Sequence, residues 1–371
     1  MKGNTYRGTT GRLRAALSAA VVVCAVTALP PTAASAEPTA AAGLVDTRAA
    51  GDGVERISAA ADGTQGSGDS VDASITPDGR HVVFASAAGN LTSDQATGGP
   101  RVFVRDQRTG HTKRLGYLPA LAPPAISGDG EYVAYTVRWE GHAGIREFQV
   151  GTGRQAAPTC IRICDQPTLN ADGHFLAFVD VRNRRPVDQR IEVQGRGGAP
   201  VTVATLQHIR PARPSISGDG RRLAYQDDEA GHVFVWDRTS GTTSGPIGGT
   251  ARATLVQLSD DGTEVVYLSG SDTRVHDVAS GAEQVVPHAR GVAVDPSGRY
   301  LLYAPQGATG PSLVLRDLRA GTDRTVADQP ASAGLHAVSA GGRDVVFQST
   351  AGGIVPGEAN GKSQLFVRHF G

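Results

Sequence analysis

Seven times along this 371-residue chain a tight turn is followed, at a fixed distance, by an aromatic residue that closes a short apolar strand. The segments read SITPDGRHVVF, AISGDGEYVAY, TLNADGHFLAF, SISGDGRRLAY, QLSDDGTEVVY, AVDPSGRYLLY and AVSAGGRDVVF. Their closing aromatics are Phe84, Tyr135, Phe178, Tyr225, Tyr267, Tyr303 and Phe347. Three residues before each turn residue stands an aliphatic: Ile75, Ile126, Leu169, Ile216, Leu258, Val294 and Val338. A register kept so strictly over most of a chain specifies a repeat architecture.

Each repeat reads as a hairpin joined by a two-residue Asp-Gly turn, Ser297-Gly298 and Gly341-Gly342 being weaker versions, with both turn positions expected at positive φ. A third strand follows, as in RVFVRD at 101–106 or HVFVWD at 232–237, then a Gly-containing turn and a polar fourth strand such as HTKRL or DRTVA. Four strands joined by short turns make a propeller blade. Successive turn residues lie 51, 43, 47, 42, 36 and 44 positions apart, the spacing of such blades. Past the leader no apolar stripe of helical period survives. The fold class is therefore all-β, a seven-bladed propeller of four-stranded antiparallel blades over residues 53–371. The seventh unit ends after its third strand, and GVERIS at 53–58 stands upstream without a partner, so 53–58 is expected to complete that blade and cover its edge.

Residues 1–36 read as a signal peptide: a basic start (Lys2, Arg7, Arg12, Arg14), a 15-residue apolar stretch and an Ala34-Ser35-Ala36 cleavage site. A lipid anchor at Cys24 is the competing reading. Residues 37–52 read as a disordered linker. The mature chain is expected to be extracytoplasmic and monomeric, without a membrane span. Removing the leader's four cations from 36 basic residues leaves 32 against 36 acidic ones, which argues against nucleic acid as a partner. Cys160 and Cys164 then remain. Residues four apart in an extended strand are too distant to bridge. The segment must turn if they pair, and pairing is expected in an exported protein.

The S-x-D-G-x-x-h-x-[F/Y] unit resembles the TolB-like, WD40-like propeller repeat, found also in the propeller domains of prolyl oligopeptidases. The resemblance covers about 53–371. It implies a fold and leaves the function open, because propellers host many activities. The chain differs from TolB proper in having seven repeats and no separate preceding domain.

Motifs that carry chemistry are missing. There is no nucleophile elbow, HExxH, Walker loop or EF-hand loop, so no catalytic residue, metal ligand or cofactor is expected. Asp106, Asp237, Asp277 and Asp317 end third strands before Gly turns and read as turn caps. Oxygen ligands for calcium are present in the first and last long loops, at Asn90, Asp94, Glu358 and Asn360, though solvated loop residues are the plainer reading.

In a propeller, the loops entering first strands and those joining second to third strands share one face. That rule gathers Arg162, Arg182, Arg184, Arg185, His208, Arg210, Arg213, Arg252, His288 and Arg290, with Tyr117, Trp139 and His142 from the second repeat. Arginine forks match carboxylate, sulfate or phosphate, and aromatics offer stacking planes. The ligand-binding set expected from sequence is Arg162, His208, Arg210, Arg213, Arg252, His288, Arg290 and Trp139. The expected function is a non-enzymatic module binding a protein, peptide or anionic glycan at the loop face and channel mouth. The alternative is a propeller enzyme, a polysaccharide lyase or lactonase, acting on an acidic sugar.

Overall fold

The computed structural model describes residues 53–94, 99–160, 162–184, 187–204, 210–307, 309–357 and 360–371. The expected leader and linker, Cys24, and the site residues His208 and Arg185 lie outside this set.

The described chain is a seven-bladed propeller. Blade 1 is Ser70–Ile75, His81–Ser86, Arg101–Asp106 and His111–Leu115, hydrogen-bonded in that order, and blades 2 to 6 repeat the scheme. Inner strands run Ala125–Ile126, Ile163–Leu169, Pro211–Ile216, Thr254–Leu258 and Ala289–Val294 in blades 2 to 6. Blade 2 has the shortest, because Pro123 and Pro124 offer no N–H to a ladder. Blade 7 closes the ring as expected. Gly53–Arg56 pairs antiparallel with Gln364–His369, placing Val54 opposite Arg368 and Arg56 opposite Phe366. Ile57 N–H continues the ladder to Leu365 O (2.9 Å), and Ser58 Oγ donates to buried Gln364 Oε1 (2.7 Å). The innermost segment of blade 7 joins through single bridges at Ser332–Gln348 and Val338–Val345.

All seven closing aromatics are buried. In blades 1, 4 and 7 the aromatic stacks on its cross-strand partner: Phe84 on Phe103 at 5.7 Å, Tyr225 on Phe234 at 5.5 Å, Phe347 on Phe366 at 5.5 Å. The apolar clusters run between blades. One joins Val83, Val102 and Val104 of blade 1 to Val133, Tyr135 and Phe148 of blade 2. Each blade therefore buries its face only by having neighbours, which is why repeats must close on themselves.

The hairpin turns differ from the expected two-residue form. In every blade the closing pair lies wider: Thr76 N–H donates to His81 O in blade 1, and Ser217 N–H to Arg222 O in blade 4. In blades 1 to 6 only the glycine takes positive φ (73° at Gly79) and the residue before it does not, whereas in blade 7 both Gly341 (73°) and Gly342 (63°) do. The aspartate acts through its side chain instead. Asp78 Oδ1 accepts from Thr76 Oγ1 (2.6 Å) and from Arg80 N–H (2.9 Å). The same Ser/Thr–Asp lock recurs at Ser127–Asp129, Ser217–Asp219 and Ser259–Asp261. Local side-chain acceptors thus replace the second left-handed residue.

Cys160 and Cys164 form a disulfide, with Cα atoms 6.0 Å apart. Cys164 lies in the inner strand of blade 3 opposite Asp180, and the chain turns before it.

Candidate functional site in the axial channel

The inner strands surround an axial cavity of about 580 Å³, to which all seven blades contribute. Its walls are built by a recurring bulge. Pairing between first and second strands slips between Val71 and Ser74, Asp165 and Thr168, Ala212 and Ser215, Leu255 and Gln257, and Gly291 and Ala293. In blades 1, 3 and 4 the bulged residue adopts a left-handed backbone: Asp72 (φ 57°), Gln166 (54°) and Arg213 (53°). Bulges re-aim side chains. Here the residues they carry line the cavity. Arg213 N–H is held by Gln166 Oε1 of the neighbouring blade at 2.7 Å.

Of the arginines expected at the mouth, the structure brings Arg213 and Arg290 together on the cavity wall. Arg213 lies 4.0 Å from Asp228, an exposed pair whose mutual stabilisation is small. Arg290 forms no ion pair among the described residues. Arg162, Arg210, Arg252 and His288 are exposed and line no part of this cavity. Arg210 is fixed by its backbone N–H to Asp227 Oδ1 (3.2 Å), His288 likewise to Asp272 Oδ1 (3.1 Å), and Arg252 donates to Glu229 O (3.3 Å). Trp139 is 50% exposed with the Arg146 guanidinium 4.7 Å over its ring. Arg182 is bound to buried Asp180 and Glu192, each at 2.8 Å, inside blade 3.

The turn-cap reading of the third-strand aspartates holds. Asp106 Oδ1 accepts from Arg108 N–H, and Asp237 and Asp317 repeat the pattern while pairing with Arg221 and Arg299. The loop oxygens considered for calcium have other partners. Asn90 Oδ1 accepts from Ser67 N–H, Asn360 Oδ1 from Lys362 N–H, and Asp94 pairs with Arg114. Glu358 lies outside the described residues. Among the described residues one group of three potential ligands converges: Cys160, Cys164 and Asp180. Two of its members are joined in the disulfide and hold no thiolate.

Below the wide cavity the channel narrows to a space of about 30 Å³. Its floor is the residue preceding each turn residue: Pro77, Gly128, Ala171, Gly218, Asp260, Pro296 and, beside Pro77, Ala340. Backbone bonds knit these turns around the axis, including Ala171 N–H to Gly218 O (2.9 Å) and Gly218 N–H to Asp260 O (2.6 Å). A methyl group on Gly218 would stand 3.1 Å from the Asp260 carbonyl oxygen and 3.3 Å from Ala171 Cβ. Six of the seven residues are small or imino acids, as so tight a ring requires, and one is a carboxylate. Two other axial columns also break once. Four positions before the turn residue stand Ser74, Ala125, Thr168, Ser215, Gln257, Ala293 and Ala337. Five before stand Ala73, Pro124, Pro167, Pro214, Val256, Val292 and His336.

The three exceptions meet. Gln257 Oε1 accepts from the backbone N–H of His336 (3.2 Å) and of Val294 (3.4 Å), which fixes the amide's orientation. Its Nε2 then donates to Val294 O (3.1 Å) and to His336 Nδ1 (3.2 Å). With Nδ1 accepting, the neutral imidazole carries its proton on Nε2. His336 itself is held at φ 54° and lines both the wide cavity and the narrow one. Burial lowers its pKa, the negative charge of Asp260 opposing. Burial raises the pKa of Asp260, with a charge on His336 opposing and Asp261 and Asp295 adding to the rise. No described residue donates a hydrogen bond to the Asp260 carboxylate. Gln257, Asp260 and His336 were not expected from sequence. The breaks in the three columns were the signal.

No family model matches the chain, and no curated protein matches it in sequence. Solved structures do. An oligogalacturonate lyase in complex with manganese superposes with a TM-score of 0.65 at 14% identity, over 86% of this chain and 93% of that one. The β-propeller domain of Cps50 (Swd1) from Myceliophteria thermophila gives 0.51 at 12%, over 81% and 96%. TolB from Acinetobacter baumannii gives 0.44 at 18%, over 59% and 54%. Identities this low carry the fold alone, so what the first two comparisons establish for this chain is a β-propeller architecture.

Proposed function

We propose that the chain is an exported, non-enzymatic binding module that takes a carboxylate-bearing ligand, an acidic glycan or acidic peptide segment, into the axial mouth. The observation that carries this reading is the 580 Å³ cavity with Arg213 and Arg290 on its wall. That volume lies within the ordinary range of ligand sites. The guanidinium of Arg290 supplies paired N–H donors that suit a carboxylate. The described residues leave that charge without an ion-pair partner, and the surrounding mature chain is net acidic.

Titration calorimetry with an acidic oligogalacturonate and a neutral glucan oligomer tests this. The acidic oligomer should bind, more weakly as salt rises, and the Arg213→Ala/Arg290→Ala double variant should lose binding without a change in melting temperature. Equal binding of both oligomers, or full binding by the double variant, would reject the reading. The second reading, an enzyme on acidic sugars, is favoured by the His336 imidazole and the Asp260 carboxyl group that line the axis together. Turnover of the acidic oligomer into unsaturated product would select it.

A further inference from the structure

The repeat supplies its own baseline. In three columns that line the narrow part of the channel, six blades carry small or apolar residues, and Gln257, Asp260 and His336 depart from them at the same spot. Folding alone does not ask for this. A carboxylate with no donor among the described residues and an imidazole at left-handed φ each cost stability. Local rules broken without structural gain mark functional positions.

We propose that Gln257, His336 and Asp260 form a hydroxyl-binding pocket at the floor of the axial cavity, which makes the ligand a hydroxylated carboxylate. The assignment rests on the carboxylate reading of the mouth and adds the second group that the ligand must carry. Gln257 engages Nδ1 of His336, so Nε2–H is left as a donor. Asp260 lines the same 30 Å³ space, which is about the volume of one water-sized group. A hydroxyl both accepts and donates, so it satisfies both neighbours at once. An ammonium would face the imidazole N–H donor to donor, and a second carboxylate would meet Asp260, with Asp261 and Asp295 adding negative charge. A methyl group would leave both polar groups unpaired. Because His336 lines both spaces, one ligand can meet Arg290 above and the pocket below.

Two probes separate the pocket from the mouth: glucuronate, and cyclohexanecarboxylate, which keeps ring and carboxylate but has no hydroxyl. Calorimetry on the mature protein should give glucuronate at least about tenfold tighter binding, the scale on which a site built for a hydroxyl rejects its absence. Asp260→Ala should erase that preference. It installs the residue of blades 3 and 7, so the ring should fold; Asp260→Asn gives a second, near-isosteric variant. Arg290→Ala should weaken both probes alike. Equal affinity of the two probes for the unaltered protein, or a preference that survives Asp260→Ala, overturns the pocket and leaves the mouth standing. Failure of both probes to bind removes the mouth reading and the pocket with it.

Discussion

Blades 4 and 5 sit side by side and share the hairpin lock, the buried tyrosine and the bulge, yet they treat the axis differently. Blade 4 places Pro214, Ser215 and Gly218 there, and blade 5 places Val256, Gln257 and Asp260. Away from the axis the two obey one rule, since Tyr225 and Tyr267 both fill inter-blade cores. The difference teaches that packing between blades is set by the repeat, whereas the channel is free to vary one residue at a time. On the binding proposal, what varies there serves a ligand more than the fold.

The largest effects should be equal in the two blades. Tyr225→Ala and Tyr267→Ala should each cost ~3–5 kcal/mol, because each leaves a cavity in a closed core. Denaturant unfolding measures both. A cost under about 1 kcal/mol in either blade would break the claim that the repeat is uniform off the axis.

Exchanging the axial residues should then separate the blades. Gly218→Asp puts a second carboxylate into the ring, against Ala171 and the Asp260 carbonyl oxygen. It should destabilise by ~1–3 kcal/mol, the cost of burying an uncompensated polar group. Thermal unfolding checks this, and an unchanged midpoint would mean that the ring is looser than its backbone bonds imply.

Three residues past the turn residue the blades differ again. Arg222 of blade 4 donates to Gly262 O at 2.7 Å, and Glu264 of blade 5 lies over Gly298. Burial, with Asp277 and Asp261 nearby, pushes the Glu264 pKa from 4.5 up to about 7. The folded protein therefore holds this proton more tightly than the unfolded chain. Its contribution to stability is complete below pH ~4.5 and is lost as pH rises toward ~7. Glu264→Gln should flatten that part of the stability–pH curve relative to the unaltered protein, while Arg222→Gln should leave its shape unchanged. Parallel curves for the unaltered protein and Glu264→Gln would contradict the shift.

Smallest of all should be reduction of Cys160–Cys164. A four-residue separation closes a short loop, so the chain-entropy gain is at most ~2 kcal/mol. Circular dichroism after reduction should still report a folded propeller; collapse of the sheet signal would show that the disulfide holds blade 3 together.

Fold was legible because it is written seven times. The DG hairpins, the closing aromatics and the unpaired GVERIS segment each state the ring, and they state it through short-range chemistry. The turn geometry was less legible. Asp-Gly suits a two-residue turn, and the alternative depends on a Ser/Thr hydroxyl two positions earlier finding the aspartate. The site was legible only in part. Counting strands groups Arg213 and Arg290, which line the axial cavity, with Arg162, Arg210 and Arg252, which do not, and it cannot separate them. Gln257, Asp260 and His336 lie 79 residues apart at their extremes and meet only because the ring closes. Their signal was present as breaks in aligned columns, and a search for motifs does not look there.

The thermal shift produced by glucuronate, measured on the unaltered protein and on Asp260→Ala, tests the central claim most directly. If axial exceptions serve ligand at the expense of fold, Asp260→Ala melts a few degrees higher without ligand, and glucuronate raises its midpoint by much less than it raises the unaltered protein's. A variant that melts lower and responds to glucuronate as fully as the unaltered protein would show that Asp260 belongs to the scaffold.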